Sequence, residues 1–118
     1  MENDIKILVE DLAKMIGDGK VLEAFDKYYS DDIEMQENND APRIGKEVNR
    51  AHEESFVGGI IEVREMKTLG IAVGDNYSTI EFFMDATHKD WGVMKMSQVA
   101  VQHWKDGKIV KEKFYYNK

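Results

Sequence analysis

The sequence predicts an α+β domain in which three helices pack on one face of a cone-shaped, curved antiparallel sheet. Apolar residues recur at helical spacing over the first half of the chain and alternate along longer strands over the second half. An Asp106-Gly107 pair separates two of these strands, and such a pair is typical of a tight hairpin because both turn residues need positive φ. The chain of 118 residues has the usual size of one domain, so residues 1–118 are expected to share one core.

The elements of the first half follow from this periodicity. Helices are predicted over 5–16, 21–29 and 45–59, where one face of each is apolar and glycines mark the ends of the first and third. A short alternating strand over 33–37 stands between the second and third helices, and a polar loop follows it before Pro42. The first half therefore supplies three helices and one strand.

The second half is predicted to form a four-stranded meander. Its strands cover 60–73, 77–88, 93–104 and 109–116, separated by polar or glycine-containing turns. Helices that come first and a meander that follows favour an α+β architecture with the helices on one face of the sheet.

Composition excludes several classes of function. The net charge of -7 argues against nucleic-acid binding, which depends on clustered Lys and Arg. Cysteine is absent, so thiolate nucleophiles and disulfides are excluded, and the three histidines, His52, His88 and His103, lack the spacing of metal ligands. The acidic N-terminus and the lack of a long apolar run predict a cytoplasmic protein without membrane contact.

Three motifs carry a resemblance to a known superfamily. They are Phe-Asp-Lys-Tyr-Tyr-Ser-Asp-Asp-Ile over 25–33, Pro-Arg-Ile-Gly over 42–45 and Asp-Gly-Lys-Ile-Val over 106–110. Together with the order of elements they resemble the nuclear transport factor 2-like superfamily, especially its SnoaL-like and ketosteroid-isomerase-like members. The resemblance covers nearly the whole chain and implies a cavity between sheet and helices, a homodimer formed through the outer face of the sheet, and chemistry without a cofactor.

The candidate catalytic residues are Glu37, Glu112 and His52. Glu37 stands at the position that resembles the catalytic base of the ketosteroid isomerases, and similarity to limonene-epoxide-hydrolase-like relatives places Glu112 on the cavity face of the last strand. His52 follows Val48 by four residues on the inward side of the third helix. The alternatives are a solvent-exposed Glu37, a Glu112 paired with a surface lysine, and a His52 that only packs.

Alternation within the strands and the family register together predict the residues that contact a ligand. In strand 77–88 the register favours Glu81, Phe83 and Asp85 inward, although the opposite set, from Ser78 to Ala86, is more apolar and stays an alternative. The predicted binding residues are Met35, Glu81, Phe83, Gln98, Gln102, Trp104, Phe114 and Tyr116.

Two functions remain open from the sequence. The first is a cofactor-free enzyme of the isomerase, cyclase or hydratase type that uses acid-base chemistry on an apolar carbonyl compound, with a pocket carboxylate whose pKa is raised by burial. The second is a non-catalytic module that binds a hydrophobic ligand or a protein partner. Steroid isomerisation and epoxide hydrolysis are disfavoured, because Ala100 and Leu12 stand in the regions of the isomerase oxyanion donors and Met35 and Glu37 replace the Tyr-Asn pair of the hydrolases.

Overall fold

The computed structural model describes residues 2–117, which form three helices and one six-stranded sheet. The helices are α1 (Glu2–Gly17), α2 (Val21–Tyr28) and α3 (Lys46–Gly59). The strands are β1 (Tyr29–Glu37), β2 (Arg43–Ile44), β3 (Ile60–Gly74), β4 (Tyr77–His88), β5 (Gly92–Lys105) and β6 (Lys108–Tyr115). The predicted α+β class is confirmed.

The strands follow the order β2-β1-β6-β5-β4-β3. Strands β3 to β6 form the predicted antiparallel meander, with continuous pairing between β4 and β5 from Tyr77↔His103 to His88↔Gly92. Two features differ from the prediction. β1 pairs with β6 in parallel, so the sheet is mixed, and β2 adds a sixth strand at the edge. A two-residue strand is too short to show any alternation, so its residues appeared as part of the loop.

The turns of the meander follow from local chemistry. Asp106 and Gly107 have φ of 54° and 79°, as the predicted tight turn requires. At the first hairpin Asn76 takes φ of 54°, a conformation that Asn adopts more readily than most residues. These turns bring distant positions of the chain opposite each other and set the register of the sheet.

The core lies between the helices and the concave face of the sheet. Its main cluster joins α1 and α2 to β1 and β6 through side chains such as Val9, Leu12, Phe25, Ile33 and Ile109. A smaller cluster of Met84, Ala86 and Met94 lies nearer to α3. Within residues 2–117, none of the helices is both long and apolar enough to span a membrane.

Candidate functional site

A cavity of about 750 Å³ lies between the helices and the concave face of the sheet. All three helices and five strands, β1 and β3 to β6, contribute to its walls. Most of its lining is apolar, with aromatic and methionine side chains that include Phe25, Phe56, Phe82, Met84, Met94, Met96 and Phe114. A largely apolar cavity with a few polar groups is the usual form of a small-molecule site.

The cavity brings together a large part of the residues singled out from the sequence. Residues that line it are Glu37, His52, Gln98, Gln102, Glu112, Phe114 and Tyr116. Alternation in β6 therefore places Glu112 and Phe114 on one wall, next to the two glutamines of β5, and Tyr116 follows them just beyond the end of the strand. Their roles toward a ligand remain predictions.

The inward orientation of Glu81 and Phe83 was wrong. In β4 the opposite set faces the helices, with Ser78, Ile80 and Met84 buried, while Glu81 is exposed on the outer face of the sheet. The apolar set occupies the inner face because burial of its side chains is more favourable than burial of a carboxylate.

Met35 and Trp104 are also absent from the cavity wall. Met35 is buried in the main core cluster, and Trp104 packs edge-on against Tyr28 with ring centroids 5.9 Å apart. Both side chains belong to the main core cluster, so they contact protein instead of the cavity.

Glu112 ends a chain of buried hydrogen bonds. Gln102 Nε2 donates to Glu112 Oε2 across 2.7 Å, and the hydroxyl of Tyr29 donates to Oε1. Ser78 Oγ donates to Gln102 Oε1 at 2.8 Å and accepts from Trp104 Nε1 at 2.8 Å. Each hydrogen bond of this network is donated in the direction of Glu112. The network therefore orients the carboxylate of Glu112 and favours its ionised form.

Burial opposes that preference. Glu112 is only 2% exposed, and desolvation raises its pKa to about 7 despite the hydrogen bonds from Gln102 and Tyr29. Burial, together with the neighbouring charge of Glu112, also raises the pKa of the Tyr29 hydroxyl well above its ordinary value. Glu112 is thus a carboxylate able to exchange a proton near neutral pH.

Glu37 is held in an ion pair at the side of the cavity. Arg43 Nη1 lies 2.6 Å from Glu37 Oε2, and Arg43 Nε donates to Asn49 Oδ1 at 3.1 Å. His52 Nε2 lies 3.9 Å from the other oxygen of Glu37. Burial and the charge of Arg43 lower the pKa of His52, so its ring is mostly neutral at pH 7.

Sequence reasoning missed three residues of the site. Glu53 lines the cavity from α3, Trp91 lines it from the turn between β4 and β5, and Tyr29 holds Glu112. The face of α3 that was predicted to point inward was anchored on Val48 and His52 and did not include Glu53. In the structure Val48 is 55% exposed, so the inward face is rotated from the predicted one toward Glu53. Tyr29 was assigned to the end of the second helix, which stops one residue earlier.

The site offers no evident place for a metal ion. In the described part of the chain no group of three or more His, Asp or Glu side chains lies close enough to hold one. The chemistry on the cavity wall is that of carboxyl, imidazole and amide groups in an apolar surrounding.

Helices that cover the concave face of a curved sheet, with a cavity and a buried carboxylate between them, define a class of small pocket-forming α+β domains. The chain belongs to the SnoaL-like domain family, whose profile matches residues 5–116. The predicted resemblance is thereby confirmed. Comparison with curated protein sequences finds no match.

Solved structures of similar fold agree with this assignment. One is a protein from Mesorhizobium loti, provisionally described as a SnoaL-like polyketide cyclase, with 28% identity, a TM-score of 0.84 and coverage of 95% of this chain and 98% of that one. A nuclear transport factor 2-like protein of unknown function from Burkholderia xenovorans has 16% identity, a TM-score of 0.78 and coverage of 98% and 84%. A second provisional SnoaL-like polyketide cyclase, from Jannaschia, has 9% identity, a TM-score of 0.82 and coverage of 99% and 88%.

Proposed function

We propose that this protein is a cofactor-free acid-base enzyme that acts on an apolar carbonyl compound in the cavity, with Glu112 as the base. The observation that carries the proposal is the placement of Glu112. Its carboxylate is oriented by Gln102 and Tyr29, is nearly inaccessible to bulk solvent, and faces a cavity large enough for a small molecule. A base of this kind acts best when its pKa lies near the working pH, and the pKa of Glu112 is about 7.

The proposed step is removal of a proton from the carbon next to the carbonyl group. The C–H bond breaks, its proton passes to Glu112, and its electron pair forms the C=C bond of an enolate whose charge rests on the former carbonyl oxygen. Gln98 and the neutral ring of His52 line the same cavity and have N–H groups that can donate to that oxygen. Glu112 then returns the proton to the product.

Glu37 receives a different role from the one first assigned. One of its oxygens pairs with Arg43, and the second faces His52 at 3.9 Å. We assign Glu37 as a positioning residue for His52, and His52 as the second proton carrier. An enolate is also the nucleophile of an intramolecular aldol cyclisation, so this chemistry is compatible with the cyclase description of the Mesorhizobium loti protein.

The test uses 2-tetralone, an apolar ketone with an acidic C–H group next to its carbonyl. Exchange of these protons in D₂O at pH 7 is followed by NMR with and without protein. Wild-type protein is expected to accelerate exchange, and Glu112→Gln is expected to reduce this acceleration by about 100-fold or more. Glu10→Gln, which changes an exposed carboxylate on α1, is the control and should retain it.

Equal exchange with wild-type protein and Glu112→Gln would overturn the assignment of the base. The competing function is a non-catalytic binding module, which the size and largely apolar lining of the cavity favour. Binding of 2-tetralone without any acceleration of exchange would favour that module over the enzyme.

The outer face of the sheet supports a proposal about assembly. Tyr77 and Tyr115 are exposed there, Phe83, Val99 and Val101 lie between them, and no helix of the described chain covers them. Acidic side chains on β4, Glu81 and Asp85, and basic ones on β6, Lys111 and Lys113, flank these apolar residues. A second copy related by a two-fold axis would place acids opposite lysines, so the proposed partner is another copy of this chain.

A further inference from the structure

An aromatic cluster lies on the cavity wall near α3. Trp91 is 51% exposed, yet its ring stacks on His88 with centroids 3.9 Å apart and planes inclined by 9°. The rings of Phe56 and His52 lie 6.2 and 6.4 Å from the indole and are also nearly parallel to it. The exposed part of the Trp91 ring is therefore available to a ligand.

Hydrogen bonds hold this cluster in place. The backbone N–H groups of Asp90 and Trp91 donate to His88 Nδ1 at 3.1 and 3.3 Å, so Nδ1 is an acceptor. Nε2 then carries the proton and donates to the carbonyl oxygen of Ser55 at 3.1 Å. His88 thereby ties the turn that holds Trp91 to α3, and the indole is pre-organised before any ligand arrives.

Glu53 is the cavity carboxylate that the proposed reaction does not use. It lies on α3 beside His52 and Phe56, so it shares a wall with the aromatic cluster. Glu37 is paired with Arg43 and Glu112 accepts two hydrogen bonds, whereas no group within residues 2–117 forms a hydrogen bond or ion pair with the carboxyl group of Glu53.

The electrostatics of the cavity favour one additional positive charge. Burial and the nearby charge of Glu112 raise the pKa of Glu53 to about 7 against the opposing charge of Arg43, and no hydrogen-bond or ion-pair partner stabilises its ionised form. The neighbouring cations do not supply that partner. Arg43 bonds to Glu37, and Lys95, which also lines the cavity, is exposed and forms no ion pair with Glu53 within residues 2–117.

We propose that the cavity binds a substrate that carries a positively charged nitrogen, with the cationic group between the carboxylate of Glu53 and the ring of Trp91. A carboxylate next to an aromatic face is a favourable setting for an ammonium group, because the ring attracts the cation while the carboxylate neutralises it. The apolar body of the substrate then contacts Phe82, Met84 and Phe114. The proposal rests on the proposed function for the location of the site and names its substrate class.

The cation has a second consequence for the reaction. An enolate carries negative charge, and the sequence offers no pair of acidic donors comparable to those of the steroid isomerases. A substrate ammonium held by Glu53 would bring positive charge into the same cavity, where the low dielectric strengthens its attraction to the enolate.

The test compares two probes with the same number of non-hydrogen atoms, benzyltrimethylammonium and neutral 2-tetralone, by isothermal titration calorimetry at pH 6 and pH 8. Wild-type protein is expected to bind benzyltrimethylammonium more tightly at pH 8, where Glu53 is ionised, with release of a proton at pH 6. Glu53→Gln should lower the ratio of the two affinities at pH 8 by about tenfold or more, and Trp91→Ala should lower it as well.

Glu54→Gln is the matched control for Glu53→Gln. Glu54 is the next residue of α3, but its side chain is exposed and pairs with Arg50 at 2.8 Å. Its replacement should leave the affinity ratio unchanged, and a melting curve confirms that each variant is folded. Absence of benzyltrimethylammonium binding, or equal affinity ratios for wild-type protein and folded Glu53→Gln, would overturn the proposal.

The outcome is separable from that of the exchange experiment. Loss of cation binding in Glu53→Gln without any proton exchange in wild-type protein would support the ligand class and contradict the enzyme. Exchange that depends on Glu112, with no binding of the cation, would support the enzyme and contradict the ligand class.

Discussion

Gln102 donates its side-chain N–H to Glu112 across 2.7 Å, and both residues are buried at the cavity wall on neighbouring strands. The register pairs Gln102 with Glu112 directly across β5 and β6, so the contact follows from backbone pairing and not from side-chain flexibility. The amide oxygen of Gln102 is itself bonded to Ser78, which fixes the direction of the amide group. The sheet therefore fixes the orientation of the carboxylate that is proposed to act as the base.

Ser78→Ala is expected to destabilise the protein. The change removes the hydroxyl that accepts from Trp104 and donates to Gln102, and leaves two buried polar groups without partners. The expected loss in the free energy of unfolding is about 2 to 4 kcal/mol, measured by urea denaturation. Ser97→Ala, at an exposed position of β5, is the control and should change this free energy by less than about 0.5 kcal/mol. Equal effects of the two changes would contradict the network.

Glu112→Gln should change how stability depends on pH. The pKa of Glu112 is about 7 in the folded chain and ordinarily 4.5, so between these values the unfolded chain releases a proton that the folded chain keeps. This group therefore lowers the free energy of unfolding as pH rises from 4.5 to 7.

The measurement is the difference in free energy of unfolding between Glu112→Gln and wild-type protein at several pH values. The value for the variant minus that for wild-type protein should be more positive above pH 7 than at low pH, by up to about 3 kcal/mol. Two other cavity groups titrate in both proteins: His52, whose lowered pKa gives the opposite slope, and Glu53, whose raised pKa gives the same slope. A difference that does not vary with pH would show that Glu112 has an ordinary pKa.

Glu37→Gln is expected to lower stability because it breaks a partly buried ion pair. The 2.6 Å contact with Arg43 joins side chains that are 18% and 22% exposed, so a loss of about 1 to 3 kcal/mol is expected in the free energy of unfolding at pH 7. Glu34→Gln is the control on the same strand. Its contact with Lys111 is longer, at 3.8 Å, and more exposed, so its loss should be below about 0.5 kcal/mol. A more stable Glu37→Gln protein would contradict the structural ion pair.

Gly59→Ala should disturb the aromatic cluster. A Cβ atom at position 59 would lie 2.0 Å from His88 Nε2, so the imidazole or the end of α3 must move. We expect a loss of about 1 to 3 kcal/mol in the free energy of unfolding and a change in Trp91 fluorescence. Gly58→Ala provides the matched control, since nothing lies within 4 Å of its added Cβ and alanine favours a helix. Similar melting temperatures for both variants would refute this close approach.

Val101→Asp should prevent the proposed dimer. Val101 lies at the centre of the outer face, and burial of an unpaired carboxylate at an interface is unfavourable. Multi-angle light scattering at micromolar concentration should give a dimer mass for wild-type protein and a monomer mass for the variant. Ile7→Asp, at an exposed position of α1, should remain a dimer. A monomeric wild-type protein would remove the proposal.

The sequence by itself determined the helices, the meander and the shared wall of Glu112, Phe114 and Tyr116. These follow from local rules: helical spacing of apolar residues, alternation along strands, and turn residues that tolerate positive φ. For the wall, similarity to limonene-epoxide-hydrolase-like relatives supplied the anchor, Glu112, and alternation with a period of two then placed the other two residues. The three motifs over 25–33, 42–45 and 106–110, together with the order of elements, were sufficient to indicate the SnoaL-like family.

Tertiary structure decided the rest of the site. Alternation divides β4 into two sets of side chains and does not say which set faces inward. The packing of the helices shows that Ile80 and Met84 are covered while Glu81 remains in solvent. The pairing of Glu37 with Arg43 depends on β2, a strand of two residues that no periodicity can indicate. The contact of Tyr29 with Glu112 joins positions 83 residues apart, and such a contact depends on the parallel pairing of β1 with β6. Local periodicity carries no information about which distant strands pair, so the electrostatics of the cavity became visible only in the folded chain.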